Sequence, residues 1–194
     1  MSDNKNNLFP VFLKLEDLRL LIVGAGDVGL EKLTTVLTNS PNTRVRIVAN
    51  YFKPEVEDLS FHYPNVQLIY ADYKPVFLDQ CDLVIAAVND TELAEQIRND
   101  AKRKGKLINA ADKPSLCDFY LGSVITKGDI KIAISTNGKS PTLARRLKEF
   151  FNEVLPDELE TVVSNLNTIR NKIQTGLKDR VKKLNEITAS LIEH

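Results

Sequence analysis

Apolar and polar positions divide the chain into three stretches. Up to about Asp118, short apolar runs alternate with longer segments whose apolar residues recur at helical spacing. Arg19-Leu20-Leu21-Ile22-Val23 is the kind of run that a strand buried on both faces needs. Val28, Leu33, Val36 and Leu37 follow as a helical stripe. Arg44 to Ala49 alternates as a second strand, with Asn50 at its carboxyl end. Pro54 to Leu59 reads as a short helix and Val66 to Tyr70 as a third strand. Leu83 to Val88 is wholly apolar, a buried fourth strand. Asn89-Asp90-Thr91 caps a helix from about Glu92 to Lys104 that Gly105 ends, and Leu107-Ile108-Asn109 is a short fifth strand. Ahead of all these, the apolar stretch Leu8 to Leu13 is expected to add an edge strand or to pack under the sheet. Strands alternating with helices predict a parallel, right-handed α/β sheet.

After Asp118 the pattern changes. Leu121 to Thr126 and Ile130 to Ser135 are strand-like runs joined by Lys127-Gly128-Asp129, a hairpin turn. A lone hairpin of this size is only marginally stable, so it is expected to pair with the same element of a second chain. Ser140 as N-cap and Pro141 at the first helical position open a helix carrying Leu143, Ala144, Leu147, Phe150 and Phe151, which Pro156 breaks. From Asp157 to Glu193 the residues Leu159, Val162, Val163, Leu166, Ile169 and Ile173 keep helical spacing, as helix packing requires. The expected organisation is a parallel-sheet domain over residues 1–118, a small α+β dimerisation segment (hairpin plus helix) over 119–150, and a helical C-terminal region over 151–194.

Charge narrows the possibilities. With 26 basic and 26 acidic residues the formal net charge is zero, which argues against a general nucleic-acid binder. The basic residues are nonetheless concentrated: Lys127, Lys131, Lys139, Arg145, Arg146 and Lys148 fall in one stretch whose single acid is Asp129. Taken alone, such a run is a solvated face. Cys81 and Cys117 are far apart and in no metal or redox spacing, which suits a reducing cytoplasm. The polar start of the chain has no signal-like apolar region, and no apolar run approaches the roughly 18 residues of a membrane span. His62 reads as a surface turn residue, and no Cys/His set has structural-zinc spacing. A cytoplasmic protein without resident metal is expected.

The chemistry centres on Gly24-Ala25-Gly26-Asp27-Val28-Gly29, a G-x-G-x-x-G between the first strand and the first helix. In a dinucleotide-binding turn the first glycine allows the tight bend. The second lets backbone approach a pyrophosphate, and the third lets the helix lie close to the strand. The helix N-terminus then offers free N–H groups to the phosphates. This predicts a Rossmann-type sheet with its crevice beyond the strand carboxyl ends, at Gly24 to Val28, Asn50-Tyr51, Ala87 to Asn89 and Asn109 to Asp112. The acid that usually binds the ribose hydroxyls at the end of the second strand is replaced by Asn50, which still hydrogen-bonds a hydroxyl but leaves NAD versus NADP open. Nearby Lys53 is more simply a solvent-facing lysine than a phosphate ligand.

Two further features carry chemistry. Asp112, in Asn109-Ala110-Ala111-Asp112-Lys113-Pro114, is placed at the crevice mouth, where a carboxylate can take a proton as hydride leaves; on residue type alone a turn aspartate is the simpler reading. The loop Ser135 to Pro141 leads into a helix N-terminus. With the side chains of Ser135, Thr136, Asn137, Lys139, Ser140, Arg145 and Arg146 it forms a candidate carboxylate-binding surface; a well-capped helix start needs only Ser140 and Pro141. The glycine spacing of a Walker A loop is missing.

Three segments together resemble the precorrin-2 dehydrogenase family, found also as the N-terminal half of sirohaem synthase. They are Val23 to Gly29, Asn109 to Pro114, and Ile134-Ser135-Thr136-Asn137-Gly138-Lys139-Ser140-Pro141-Thr142-Leu143-Ala144-Arg145. The resemblance spans about Leu8 to Pro156. It implies NAD-dependent oxidation of precorrin-2 to sirohydrochlorin, with Asp112 as the catalytic aspartate, and a homodimer formed through the segment after the sheet. It also implies cofactor contacts on Gly24, Ala25, Gly26, Asp27, Val28, Asn50, Tyr51, Ala87, Val88 and Asn89, with Asn109 in the same crevice. Some members of that family also insert iron, which no residue here decides. Others carry a phosphorylatable serine where this chain has Thr136, so regulation at that position does not carry over. No methyltransferase domain follows in this sequence, so the chain is not expected to make precorrin-2 itself. The alternatives are an NAD(H)-binding regulatory module without catalysis, which has no need of the Ser135 to Arg146 segment, and a Rossmann oxidoreductase acting on another polyanion.

Overall fold

A computed structural model describes residues 6–173 and 177–188. Five strands, β1 (Arg19–Ala25), β2 (Arg44–Phe52), β3 (Val66–Tyr70), β4 (Leu83–Ala86) and β5 (Leu107–Ala110), form one all-parallel sheet in the order β3-β2-β1-β4-β5. The order turns back on itself at β1 and β4. That is the position where crossovers to left and right diverge and leave a crevice.

The period-two alternation of strand side chains explains why these runs are apolar throughout. Leu20 and Ile22 of β1 face one core with Val45, Ile47 and Ile85, covered by Leu33, Val36 and Leu37 of α1 (Asp27–Asn39) and Val56 of α2 (Pro54–His62). Leu21 and Val23 face the other core with Val48, Val84 and Ile108, covered by Ile97 and Ala101 of α3 (Thr91–Arg103) and by Leu78 of a 3₁₀ segment, Pro75–Gln80. Cys81, just before β4, is fully buried in this second core as a free thiol.

A charged clamp fixes β1 against β4 at the other end of the sheet. The Arg19 guanidinium donates to both carboxylate oxygens of Asp82, at 3.0 and 2.9 Å, and the Arg19 backbone N–H adds a third bond at 2.9 Å. The Asp82 N–H returns a bond of 2.8 Å to the Arg19 carbonyl.

The later elements form a second unit. The described chain divides into residues up to Leu121 with Asn137–Lys139, and Gly122–Thr136 with residues from Ser140 onward. In the second unit, β6 (Ser123–Lys127) and β7 (Ile130–Ile134) make an antiparallel hairpin whose turn has Gly128 at φ 56°. A Cβ there would also meet the Glu160 side chain at 2.5 Å. Helix α4 (Pro141–Val154) packs on both strands, and α5 (Leu159–Lys172) and α6 (Leu177–Thr188) follow. Residues 174–176 and 189–194, within the expected helical tail, lie outside the described residues.

Two sequence expectations need correction. Leu8 to Leu13 forms no strand and is exposed, with Phe9 at 87%. Pro10 interrupts any ladder there, since it has no N–H to donate. Asn50 does not end its strand: β2 continues to Phe52, because the register shifts between Val23 and Ala25 and pairs Ala25 with Phe52.

The clamp holds Asp82 down at a pKa of about 2, chiefly through the Arg19 side-chain and backbone bonds. A depressed carboxylate stabilises the fold fully above its ordinary value, 3.8. That contribution is lost as pH falls through about 2. Asp82→Asn is therefore expected to lower stability at neutral pH by about 1 kcal/mol. Urea melts at pH 7 and pH 2 should show the difference from wild type shrinking at the acid end.

Candidate cofactor and active site

The turn from β1 into α1 is built by backbone touching backbone. Gly24 has φ +103°, and a Cβ there would lie 2.3 Å from the Ala87 carbonyl oxygen beyond β4. A Cβ on Gly29, inside α1, would lie 2.3 Å from the Gly24 carbonyl oxygen. Both glycines are required by close approach. Gly26 differs: a Cβ there would meet nothing within 4 Å. Its open side faces a cavity, as a backbone cradle for a pyrophosphate requires.

That cavity has a volume of about 550 Å³ and lies at the carboxyl ends of β1, β2, β3 and β4. It brings together Gly24, Ala25, Gly26, Asp27, Val28, Asn50, Tyr51, Ala87, Val88 and Asn89. Asn109, also expected here, is not among the lining residues. It is 6% exposed, and its amide donates to the Phe119 carbonyl at 2.8 Å. That bond ties the chain after β5 back to the strand.

Several lining residues were not anticipated. Asp72, two residues past β3, accepts a hydrogen bond from the Asn50 amide. Tyr73 donates from its hydroxyl to the buried Asp100 of α3 at 3.1 Å. Burial, and then the Asp100 charge, push the Tyr73 hydroxyl well above its ordinary pKa. Asp90 caps α3 by accepting from the N–H groups of Glu92 and Leu93 at 2.8 and 3.2 Å. The sequence marks Asp90 as part of the helix cap but not as a cavity wall, and nothing in the spacing marked Asp72.

Lys53 is not a solvent-facing lysine. Its Nζ lies 2.5 Å from an Asp27 carboxylate oxygen at the start of α1. The hydrogen bond with Lys53 lowers the Asp27 pKa, and the same bond raises that of Lys53.

Asp112 follows β5 and is exposed, with its backbone in the left-handed region at φ 57°. Ala111 N–H bonds the Ala86 carbonyl at 2.9 Å, and the Lys113 ammonium bonds the carbonyl of cavity-lining Val88 at 3.1 Å. These two bonds fix the residues on either side of Asp112 to the β4 end. A left-handed aspartate anchored on both sides is a conformation that surrounding structure must enforce.

The candidate substrate residues are divided between the two units. Asn137 and Lys139 belong to the first; Ser135, Thr136, Ser140, Arg145 and Arg146 belong to the second. Asn137 and Gly138 both have positive φ, 54° and 73°, as a tight turn requires. Ser140 Oγ accepts from Leu143 N–H at 3.2 Å, and Thr136 Oγ1 accepts from Ser140 N–H at 3.2 Å, so both hydroxyls cap α4. Arg145 and Arg146 share Glu149, at 3.1 and 2.8 Å, and Lys127 pairs with Asp157. These bonds lower the pKa of Glu149 and of Asp157. The basic stretch is thus partly neutralised by acids just beyond its boundaries. Among the described residues no group of three or more His, Cys, Asp or Glu could hold a metal ion.

A doubly wound parallel sheet with a glycine cradle at its switch point defines a dinucleotide-binding domain. The chain belongs to the NAD(P)-binding family whose model matches residues 11–123, and residues 127–152 match the model for the central part of sirohaem biosynthesis proteins. It is similar to a siroheme synthase of Psychrobacter cryohalolentis, 36% identical over 77% of this chain and 28% of that protein. A siroheme synthase of Actinobacillus succinogenes is 34% identical over 88% of this chain and 35% of that protein. The chain therefore spans about a third of the length of the curated relatives it matches. Among solved structures, SirC, a precorrin-2 dehydrogenase, shares the fold with a TM-score of 0.73 at 20% identity, over 93% of this chain and 89% of that one.

The glycine geometry separates folding from binding. Gly29→Ala forces backbone apart and is expected to cost about 2–3 kcal/mol. Gly26→Ala should leave the thermal midpoint near wild type while abolishing measurable NADH binding, because its methyl would occupy the cradle. Thermal melts paired with NADH fluorescence titrations check both.

Proposed function

We propose that this chain oxidises precorrin-2 to sirohydrochlorin with NAD as acceptor, in the cytoplasm, as a homodimer. The observation that carries the reading is the joining, in one chain, of the glycine-cradled cavity to a segment matching the sirohaem central model. The similarity to siroheme synthases along both parts supports it.

NAD bound in the cavity supplies a hydride acceptor. Gly24, Gly26 and the first amides of α1 would hold its pyrophosphate, and Asn50 and Tyr51 would meet its ribose hydroxyls. Ala87, Val88 and Asn89 line the β4 side. Oxidation removes one hydride and one proton from the substrate, and Asp112 takes the proton on its carboxylate. In the second unit, Ser135, Thr136, Ser140, Arg145 and Arg146 offer hydroxyls and N–H groups to substrate carboxylates. The partial neutralisation of Arg145 and Arg146 by Glu149 leaves their outer N–H groups to make such bonds.

The dimer is supported by the composition of the second unit. A two-stranded sheet needs further cover to be stable. Helix α4, packed on that sheet, still exposes Leu143, Phe150 and Val154. The free thiols Cys81 and Cys117 suit a reducing compartment. No described helix is long and apolar enough to cross a membrane.

Purified protein mixed with NAD and precorrin-2 should generate the absorbance of sirohydrochlorin and of NADH in equal amounts. Asp112→Ala should retain NADH binding and lose about a hundredfold or more in kcat. Turnover equal to wild type would remove Asp112 from the reaction. Light scattering at micromolar concentration should give a mass about twice 21.8 kDa, and Phe150→Glu should shift it toward the single-chain value.

A further inference from the structure

We infer that Asp72 sets the dinucleotide preference, supplying from β3 the ribose-binding carboxylate that β2 lacks and excluding a 2′-phosphate. This rests on reading the cavity as the dinucleotide site.

Dinucleotide domains place an acid at the carboxyl end of the second strand, where it accepts bonds from the ribose hydroxyls. Asn50 occupies that place here, and an amide neither attracts two hydroxyls as strongly nor repels a phosphate. The adjacent strand makes up the difference. β2 and β3 pair in parallel with Ala49 opposite Tyr70, and Ala71 N–H bonds the Ala49 carbonyl at 3.1 Å. The chain leaving β3 is thereby held alongside Asn50, and the Asn50 amide N–H₂ donates to the Asp72 carboxylate. Both side chains line the cavity. The pair presents the Asn50 Oδ1 and the Asp72 carboxylate as neighbouring acceptors, the complement of a ribose diol.

The charges around the cavity give the same result. Among its described lining residues there are acids at Asp27, Asp72 and Asp90 and no Lys or Arg. Asp27 is offset by Lys53 at 2.5 Å. Asp90 is taken up by the amides that open α3. Asp72 is met by the neutral Asn50 amide rather than by a cation or by helix-opening amides. Lys53, the cation closest to Asn50 in sequence, is engaged by Asp27 and lies 3.7 Å from Glu55 as well. A 2′-phosphate at this position meets a carboxylate and, among the described lining residues, no Lys or Arg, whereas a 2′-hydroxyl meets an acceptor.

The test is fluorescence titration of the full chain with NADH and with NADPH, for wild type, Asp72→Asn and Asp72→Ser. Wild type should bind NADH at least about tenfold more tightly than NADPH. Both variants should narrow that ratio about tenfold, by weakening NADH and strengthening NADPH. Thermal midpoints near wild type would confirm that the variants fold. The inference is overturned if wild type prefers NADPH, or if both variants bind the two nucleotides in the wild-type ratio. Equal weakening of both nucleotides counts in that second outcome and would mean that Asp72 touches a part they share. Binding of neither nucleotide by wild type would overturn the dinucleotide reading of the cavity, and this inference with it.

Discussion

The contact between the Gly29 Cα and the Gly24 carbonyl is the constraint on which the rest of the molecule depends. It lets α1 start against the end of β1 with no side chain between them. The first amides of that helix, which have no partner inside it, are thus left pointing beyond the strand end. The matching contact of Gly24 with the Ala87 carbonyl brings the β4 end to the same place. A cavity lined by four strand ends follows from these two approaches. Any side chain on Gly24 or Gly29 would wedge the layers apart before affecting a ligand.

The parts of this arrangement that rest on local chemistry were legible in the sequence. The strands are buried on both faces, so Leu20 to Val23 and Leu83 to Ala86 had to be continuous apolar runs. The caps at Asp90 and Ser140 follow from short-range bonds to amides two or three residues ahead. What was not legible depends on register and on the paths of loops. Asp72 lies 22 residues from Asn50, and only the pairing of β2 with β3 places them together. Asn109 has the residue type of a crevice ligand, yet the loop after β5 folds back and claims its amide. Leu8 to Leu13 has strand-like composition and makes no ladder, because composition does not supply a neighbouring edge. Of the candidate site, the glycine loop, Asn50-Tyr51 and Ala87 to Asn89 share one cavity, whereas the Ser135 to Arg146 residues are distributed over two compact units.

The second unit shows how a count of charges can mislead. The stretch from Lys127 to Lys148 contains six basic residues and one acid, yet Glu149 and Asp157 lie just outside it and pair with three of those six. Spacing of three and four along α4 explains the pairing of Arg145 and Arg146 with Glu149. Outside those pairs the stretch keeps Lys131, Lys139 and Lys148, so its positive charge is smaller than the count suggests.

Lys53 adds a last consequence. Its backbone N–H bonds the Ala25 carbonyl at 3.1 Å, while its side chain holds Asp27. One residue at the β2–α2 junction therefore braces both flanks of the glycine turn. A recess braced in this way has little left to order when a guest enters, so little affinity is lost to restricting the chain.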